Sequence, residues 1–422
     1  MKVNIKSIFK DKDKKVLLSN FISLFVLQGA NYILPLITLP YLVRVLGAEK
    51  FGIIAFAQAF VAYFGILIGY GFELSATKEI AEHRENKEKV IEIFSSVILI
   101  KFLIMLFSLL VMSLIIFSFD NFKKNWLIFY FTFGVPIGRI LFPVWFFQGM
   151  EKMKYITFLN ITAKVIFTIF IFVFIREASD YIYVPLINSA GFFVAGIIAM
   201  WIIFRNFNMK FIIPPFKTIF YHFKNSTQFF LSRLSVSIYT STNTFVLGLF
   251  TTHEMVGYYA VAEKLYQAFD QLYHPLVNTL YPYVANKKNI SLFKKIFKIA
   301  NLFNLILFIV VFLLAGEIIK IIFGDNLDYS VNVFKILILT LPIVVPSMLI
   351  GYPFLAAMGF PKYANNSVIF SSILHIIGLG ILILLNLVNI YTVAFMVIIT
   401  ESFVLFYRLY GIFKEKLPLF TK

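Results

Sequence analysis

Five basic side chains sit in apolar surroundings where a charge is expensive. Lys101, Arg139, Lys164, Arg233 and Lys264 each lie about seven or more residues inside long apolar runs. On a helix this is ~10 Å of depth, near the reach of a snorkelling side chain. At comparable depth the runs offer only Glu263, Asp270 and Glu401 as carboxylate partners. Ionisable groups at such depth face protein or enclosed water rather than hydrocarbon. The surplus of cations over carboxylates leaves positive charge for a ligand to meet, and the chemistry is that of anion binding. An arginine grips a phosphate through two parallel hydrogen bonds, whereas a lysine acts as a point charge. For any one of these residues the competing reading is a buried ion pair, for instance Arg233 with Asp270.

Polar neighbours share the helical faces of these residues. Thr157, Asn160, Lys164 and Thr168 fall on one face, as do Ser226, Arg233, Ser237, Thr240 and Thr244. Glu263, Gln267, Asp270, His274 and Asn278 form the longest such stripe. Polar faces inside apolar segments need water or polar protein opposite them, which predicts a hydrated cavity. Lys335 lies close to the end of its run and snorkels. His83, His222, His253 and His375 show no metal-ligand spacing with acidic neighbours, so a structural role is expected for each. Tyr258, Tyr259, Tyr266 and Tyr273 could stack on sugar rings, with core packing the default. The chain has no cysteine, which excludes disulfides, thiolate metal sites and a cysteine nucleophile. Neither a P-loop nor a Gly-rich dinucleotide fingerprint is present. No cofactor or metal is expected.

The elements that must position these residues are membrane helices. Of 422 residues, 60% are apolar and 14% charged, against about 25% charged in soluble domains. Runs long enough to span a bilayer occur at 16–40, 51–72, 92–118, 125–147, 155–175, 183–204, 225–250, 256–285, 296–316, 331–358, 363–385 and 390–411, twelve in all. The runs 225–250 and 256–285 are the least apolar, carrying Arg233, Glu263, Lys264 and Asp270. The first run is too long for a signal h-region and lacks a small-residue cleavage site, so it reads as a retained helix. With the N-terminus inside, 26 of the 38 Lys and Arg fall on the cytoplasmic side, including those from Arg408 onward, and six on the other. That asymmetry puts both termini in the cytoplasm and accounts for the net charge of +17 without nucleic acid. The loops are too short for a separate catalytic domain.

The chain also repeats itself. Val135-Pro136, Phe142-Pro143 and Gly149 recur as Val345-Pro346, Tyr352-Pro353 and Gly359, at an offset of 210. Glu49-Lys50-Phe51-Gly52 recurs as Glu254-Met255-Val256-Gly257, offset 205, each preceded by Leu-Gly. The expected architecture is an all-α integral membrane protein: twelve transmembrane helices in two six-helix bundles, residues 1–211 and 212–422, around a central cleft. An even number of crossings per half makes them parallel repeats about an axis along the membrane normal, with Gly149 matching Gly359.

Three segments carry a family resemblance. Leu39-Pro40-Tyr41-Leu42-Val43-Arg44-Val45-Leu46-Gly47, Phe142-Pro143-Val144-Trp145-Phe146-Phe147-Gln148-Gly149-Met150-Glu151 and Val256-Gly257-Tyr258-Tyr259 resemble the polysaccharide transporters of the MOP flippase superfamily, Wzx-type O-antigen flippases above all. The resemblance implies translocation of an undecaprenyl-diphosphate-linked oligosaccharide from the cytoplasmic to the outer leaflet of a bacterial inner membrane. It also implies coupling to an ion, H+ or Na+, for which Glu263, Asp270 and Glu401 are the available carboxylates. Lipid-linked substrate, membrane lipids and polysaccharide assembly proteins are the expected partners. The rival readings are a multidrug antiporter of the same superfamily, which the surplus of buried bases opposes, and a membrane polymerase or ligase, which lacks an outward loop here.

The topology is testable because the chain is free of cysteine. Single cysteines at Asn4 and Thr421 should react with an impermeant thiol reagent only after the membrane is opened. One at Asp325 should react in intact cells, and protection there would refute the orientation.

Overall fold

The computed structural model describes the backbone of residues 12–419, and their side chains apart from 12–22, 24–25, 32–33 and 231–240. Every regular element among them is helical. The chain forms two compact units: the stretch up to Leu46 together with Ala57–Leu234, and Gly47–Phe56 together with the chain from Ser235 onward.

The first helix, α1 (Lys12–Gly69), has 58 residues. Run straight, it would be about 87 Å long, far more than the hydrocarbon thickness. Gly47 breaks it into two arms by taking φ 71, ψ 172, a backbone conformation open to glycine and closed to most L-residues. The expected runs 16–40 and 51–72 therefore join without a loop. In the first unit there follow α2 (Phe72–His83), α3 (Lys87–Ser118), α4 (Asp120–Lys123), α5 (Trp126–Leu141), α6 (Val144–Gly149), α7 (Met153–Phe174), α8 (Tyr183–Asn206) and the start of α9 (Phe216–Phe250). Helices α5 and α8 approach closely because small residues meet: Gly134 faces Ser189, and Gly138 faces the backbone at Phe192. Pro143 separates α5 from α6. The run beyond it, Trp145-Phe146-Phe147, is almost fully buried and anchors a core with Phe72, Phe94 and Ile203. Helix α2 is fastened to α9 by polar contacts. Ser75 and Ser226 hydroxyls meet at 2.7 Å, and buried His222 Nδ1 lies 2.8 Å from Glu79 Oε2. Burial would raise the Glu79 carboxyl, but bonds to His222 and Asn225 hold it below the usual carboxylate range.

The second unit continues with the rest of α9, α10 (His253–Gln271), α11 (His274–Lys287), α12 (Ile290–Leu313), α13 (Ala315–Phe323), α14 (Asp328–Ile338) and α15 (Leu341–Ile350). A π-helical turn, Gly351–Ala356, leads to α16 (Pro361–Leu384) and α17 (Ile390–Lys414). The polar stripe expected along 256–285 is interrupted at Leu272-Tyr273, and His274 opens a new helix.

Among the described residues nine helices are long and apolar enough to cross a membrane. They include α1 with both its arms as one, and they leave out α9 and α10, along which polar residues recur, and α11, which has only 14 residues. The chain is thus a multi-pass membrane protein.

A local backbone repeat is present with a different offset from the Pro-Gly pattern. Met150, Glu151 and Lys152 amides donate to Phe146, Gln148 and Phe147 carbonyls, and Met358, Gly359 and Phe360 amides donate to Phe354, Ala356 and Leu355. The offset is 208 in each bond. Positive φ falls on Glu151 (56) and Gly359 (95), so Glu151 and not Gly149 is the structural counterpart of Gly359. The Lys154 ammonium stands 5.1 Å over the Tyr155 ring, and Lys362 stands 5.0 Å over Tyr363. The other repeated segment closes on itself within the second unit. A Cβ at Gly52 would overlap the His253 carbonyl oxygen, and one at Gly257 would overlap that of Ala48. Gly52 is to His253 as Gly257 is to Ala48, a reciprocal contact.

Since backbone cannot yield as a side-chain tip can, Gly52→Ala and Gly257→Ala should each cost about 1–3 kcal/mol and lower the melting temperature in detergent. Gly380→Ala, in open space, should leave it unchanged. Equal melting of all three would show that the contact is not tight.

Candidate functional site

Three of the five deep cations come together in the first unit. Lys101 on α3, Arg139 on α5 and Lys164 on α7 line one cavity of about 580 Å³. Glu73, at the start of α2, is the acidic residue in its wall, with Asn31, Asn160 and Gln148 as neutral hydrogen-bonding groups. Helix ends place two of the charges. Glu73 lies in the first turn of α2, where the helix dipole favours an anion, and Arg139 in the last turn of α5, where it favours a cation. Pro136 and the break at Phe142-Pro143 end α5 just beyond Arg139, whose guanidinium stands 5.2 Å over the Phe192 ring. Lys101 is buried, Lys164 half-buried and Arg139 exposed to the cavity. Glu73 acts electrostatically on Lys101 and Arg139, and Arg139 on Lys101 and Lys164. Three cations against one carboxylate leave a net positive wall.

Of the stripe on α7, Asn160 and Lys164 face this cavity. Thr157 instead donates to the Ser23 carbonyl at 2.8 Å, and Thr168 Oγ1 is buried without a hydrogen-bond partner among the described residues.

The three predicted carboxylates gather in the second unit. Glu263, Asp270 and Glu401 line a cavity of about 280 Å³ with Asn243, Tyr259, Gln267 and Arg408. Thr244 Oγ1 donates to Glu263 Oε2 at 3.3 Å. Asp270 Oδ2 lies 3.4 Å from His274 Nε2, while its Oδ1 is buried with no hydrogen-bond partner among the described residues. Lys264 is exposed, 3.4 Å from Gln267 Oε1, and lines neither cavity. The side chains of Arg233, Ser237 and Thr240 lie outside the described residues, and with them the pairing of Arg233 with Asp270.

Two charged residues of these cavities are not evident as such from the sequence. Arg408, counted with the cytoplasmic lysines, is buried and donates to the Ser347 carbonyl at 2.7 Å and to Ser367 Oγ at 3.0 Å. Its signal was the seven-residue spacing from Glu401, which puts both on one helical face. Glu73 lies one residue past the run 51–72, and no sequence spacing ties it to Lys101 or Arg139.

The sequence matches the polysaccharide biosynthesis protein family over residues 17–288. A protein of Escherichia coli (strain K12) bearing the provisional name of O-antigen transporter is 30% identical over 331 residues, 77% of this chain and 80% of that one. Among solved structures, the inward-facing conformation of a multidrug resistance MATE family transporter of the MOP superfamily aligns with a TM-score of 0.68. The identity is 12%, over 93% of this chain and 97% of that one. The lipid II flippase MurJ, in an inward closed conformation, aligns with a TM-score of 0.67 at 15% identity, over 95% of this chain and 90% of that one. At those identities the likeness concerns fold. Sequence match and fold together place the chain in the polysaccharide biosynthesis protein family, with the architecture of the MOP-superfamily transporters.

Proposed function

We propose that the chain is a flippase, not an enzyme. It carries an undecaprenyl-diphosphate-linked oligosaccharide, the repeat unit of an O-antigen or similar surface polysaccharide, from the cytoplasmic to the outer leaflet of a bacterial inner membrane by alternating access. In this reading twelve spans form two parallel six-helix bundles with both termini cytoplasmic. The observation that carries it is the clustering of Lys101, Arg139 and Lys164 in one cavity with Glu73 as its acidic wall residue. A diphosphate leaving water exchanges its hydration for fixed cations, which are worth most where the dielectric is low. Asn31, Asn160 and Gln148 supply neutral donors and acceptors of the kind a sugar hydroxyl needs. Arg233 and Lys264 extend the positive charge along α9 and α10. Glu263, Asp270 and Glu401 are assigned to the coupling ion, H+ or Na+. The name of the relative from Escherichia coli points to the same substrate class.

The test pairs membrane abundance with export of lipid-linked glycan. Lys101→Ala, Arg139→Ala and Lys164→Ala should each keep abundance near wild type and lower export roughly tenfold, as expected for the loss of one charge-assisted contact worth about 1.5 kcal/mol. Arg139→Lys should be tolerated only in part if the grip is bidentate, and Glu at any of the three should be worse than Ala. Wild-type export in all three alanine variants would refute the site. Transport of organic cations instead of lipid-linked glycan would favour a multidrug antiporter. For Arg233, low abundance of Arg233→Ala restored by adding Asp270→Asn would assign it to scaffolding.

A further inference from the structure

His375 is a fully buried titratable group that anion binding leaves unused. Its Nδ1 lies 2.7 Å from Thr400 Oγ1 on α17, and its Nε2 lies 2.8 Å from Asn243 Oδ1 on α9. The Thr400 hydroxyl directs its one proton to the Met396 carbonyl at 2.7 Å. Toward the imidazole it can only accept, so Nδ1 carries a hydrogen. The state of Nε2 then depends on which end of the Asn243 amide it meets. Against the amide oxygen it must carry a second hydrogen, and the ring is an imidazolium. Against the amide nitrogen, after a half-turn of Asn243, it accepts and the ring is neutral. One proton taken up at Nε2 and one amide rotation interconvert two states in which both ring nitrogens are bonded.

The amide has a second side. Asn243 lines the carboxylate cavity of the second unit, as does Tyr259. The Tyr259 hydroxyl is buried and has no hydrogen-bond partner among the described residues. The groups that act on it are the Asn243 amide, Glu263 and Tyr266. With His375 protonated, Asn243 turns its amino group toward the tyrosine, and the hydroxyl proton finds no acceptor there. With His375 neutral, Asn243 turns its carbonyl toward Tyr259 and can take that proton. The charged groups that line this cavity are Glu263 and Asp270 on α10 and Glu401 and Arg408 on α17. From α9 it receives Asn243, and from α15 Ser347.

We propose that His375 binds the proton to which transport is coupled, and that Asn243 passes its protonation state to the cavity holding Tyr259 and Glu263. The proposal rests on the transporter reading above, chooses H+ over Na+ within it, and moves the proton-binding group from the three carboxylates to His375.

The direct test is nitrogen NMR of the full-length protein, labelled with 15N-histidine in lipid nanodiscs, with His375→Gln assigning the ring signals. Both nitrogens of His375 should be protonated at low pH, and Nε2 should lose its proton as the pH rises. One neutral tautomer at every pH where the protein stays folded overturns the proposal. In proteoliposomes, His375→Gln should reach wild-type abundance and lose the response to a pH gradient, which for one coupled proton is about tenfold in accumulation per pH unit. An unchanged gradient response in the variant also overturns it. If the wild-type protein moves no lipid-linked glycan while His375 still titrates, the transport reading falls and the proton site stands.

Discussion

A charge removed from water must be met by another charge, by fixed dipoles or by enclosed water, and this requirement organises the molecule. With few charged residues in a long apolar chain, each deep ionisable group marks a place where one of these answers exists. The two units answer with opposite signs. The first collects Lys101, Arg139 and Lys164 against Glu73. The second collects Glu263, Asp270 and Glu401 against Arg408. Arg408 is held by two serines and a backbone carbonyl as well as standing among carboxylates, so it serves the scaffold of its cavity. The cations of the first unit have no comparable set of carboxylates in their cavity wall, and the proposed anion site rests on this difference.

Backbone geometry serves the same end. Glycine lets helices approach where a side chain would hold them apart, and closely packed small residues replace the hydrophobic drive that lipid does not supply. Gly134 and Gly138 bring α5 onto α8, which fixes the helix that ends at Arg139. Pro143 then separates α5 from α6, so the dipole of α5 terminates at the cavity rather than running past it. The Trp145-Phe146-Phe147 run pins the other side of that break in the core. A motif whose specificity was evident only as a family resemblance thus has a mechanical reason in this chain.

The apolar runs, and the depth of Lys101, Arg139 and Lys164 that line one cavity, were legible in the sequence because each depends on local periodicity. Lys264, read as equally deep, is exposed and lines neither cavity. What escaped the sequence depends on tertiary contact. Glu73 lies just past a predicted span, and only the fold carries it back among the cations. Arg408 sits near a helix end among lysines, where charge counting treats it as surface. The Pro-Gly pattern suggested an offset of 210, but the hydrogen bonds repeat at 208, since a turn is defined by φ and by bonding rather than by where glycine stands. Glu151 takes the left-handed conformation that Gly359 takes in the second copy, and residue identity alone does not reveal it. Helix α10 is less apolar than its neighbours because Glu263, Gln267 and Asp270 face a cavity rather than lipid.

Opposite charge in separate cavities has a consequence for coupling. If one site held both the anionic substrate and the coupling cation, the two would neutralise each other's ligands and binding of one would favour the other. In the proposed assignment of the anion to the first unit and the cation to the second, neither competes for the other's contacts, and helices that belong to both units can carry coupling between them. The chain provides two such elements, for α1 and α9 each contribute residues to both units. Helix α9 carries Ser226, bonded to Ser75 in the first unit, and Asn243, bonded to His375 in the second. The two lie 17 positions apart, about 25 Å along the helix. Energetic coupling over such a distance requires an element with two discrete arrangements that both sites bias. The Asn243 amide, with its two orientations set by one proton, is such an element at one end of α9.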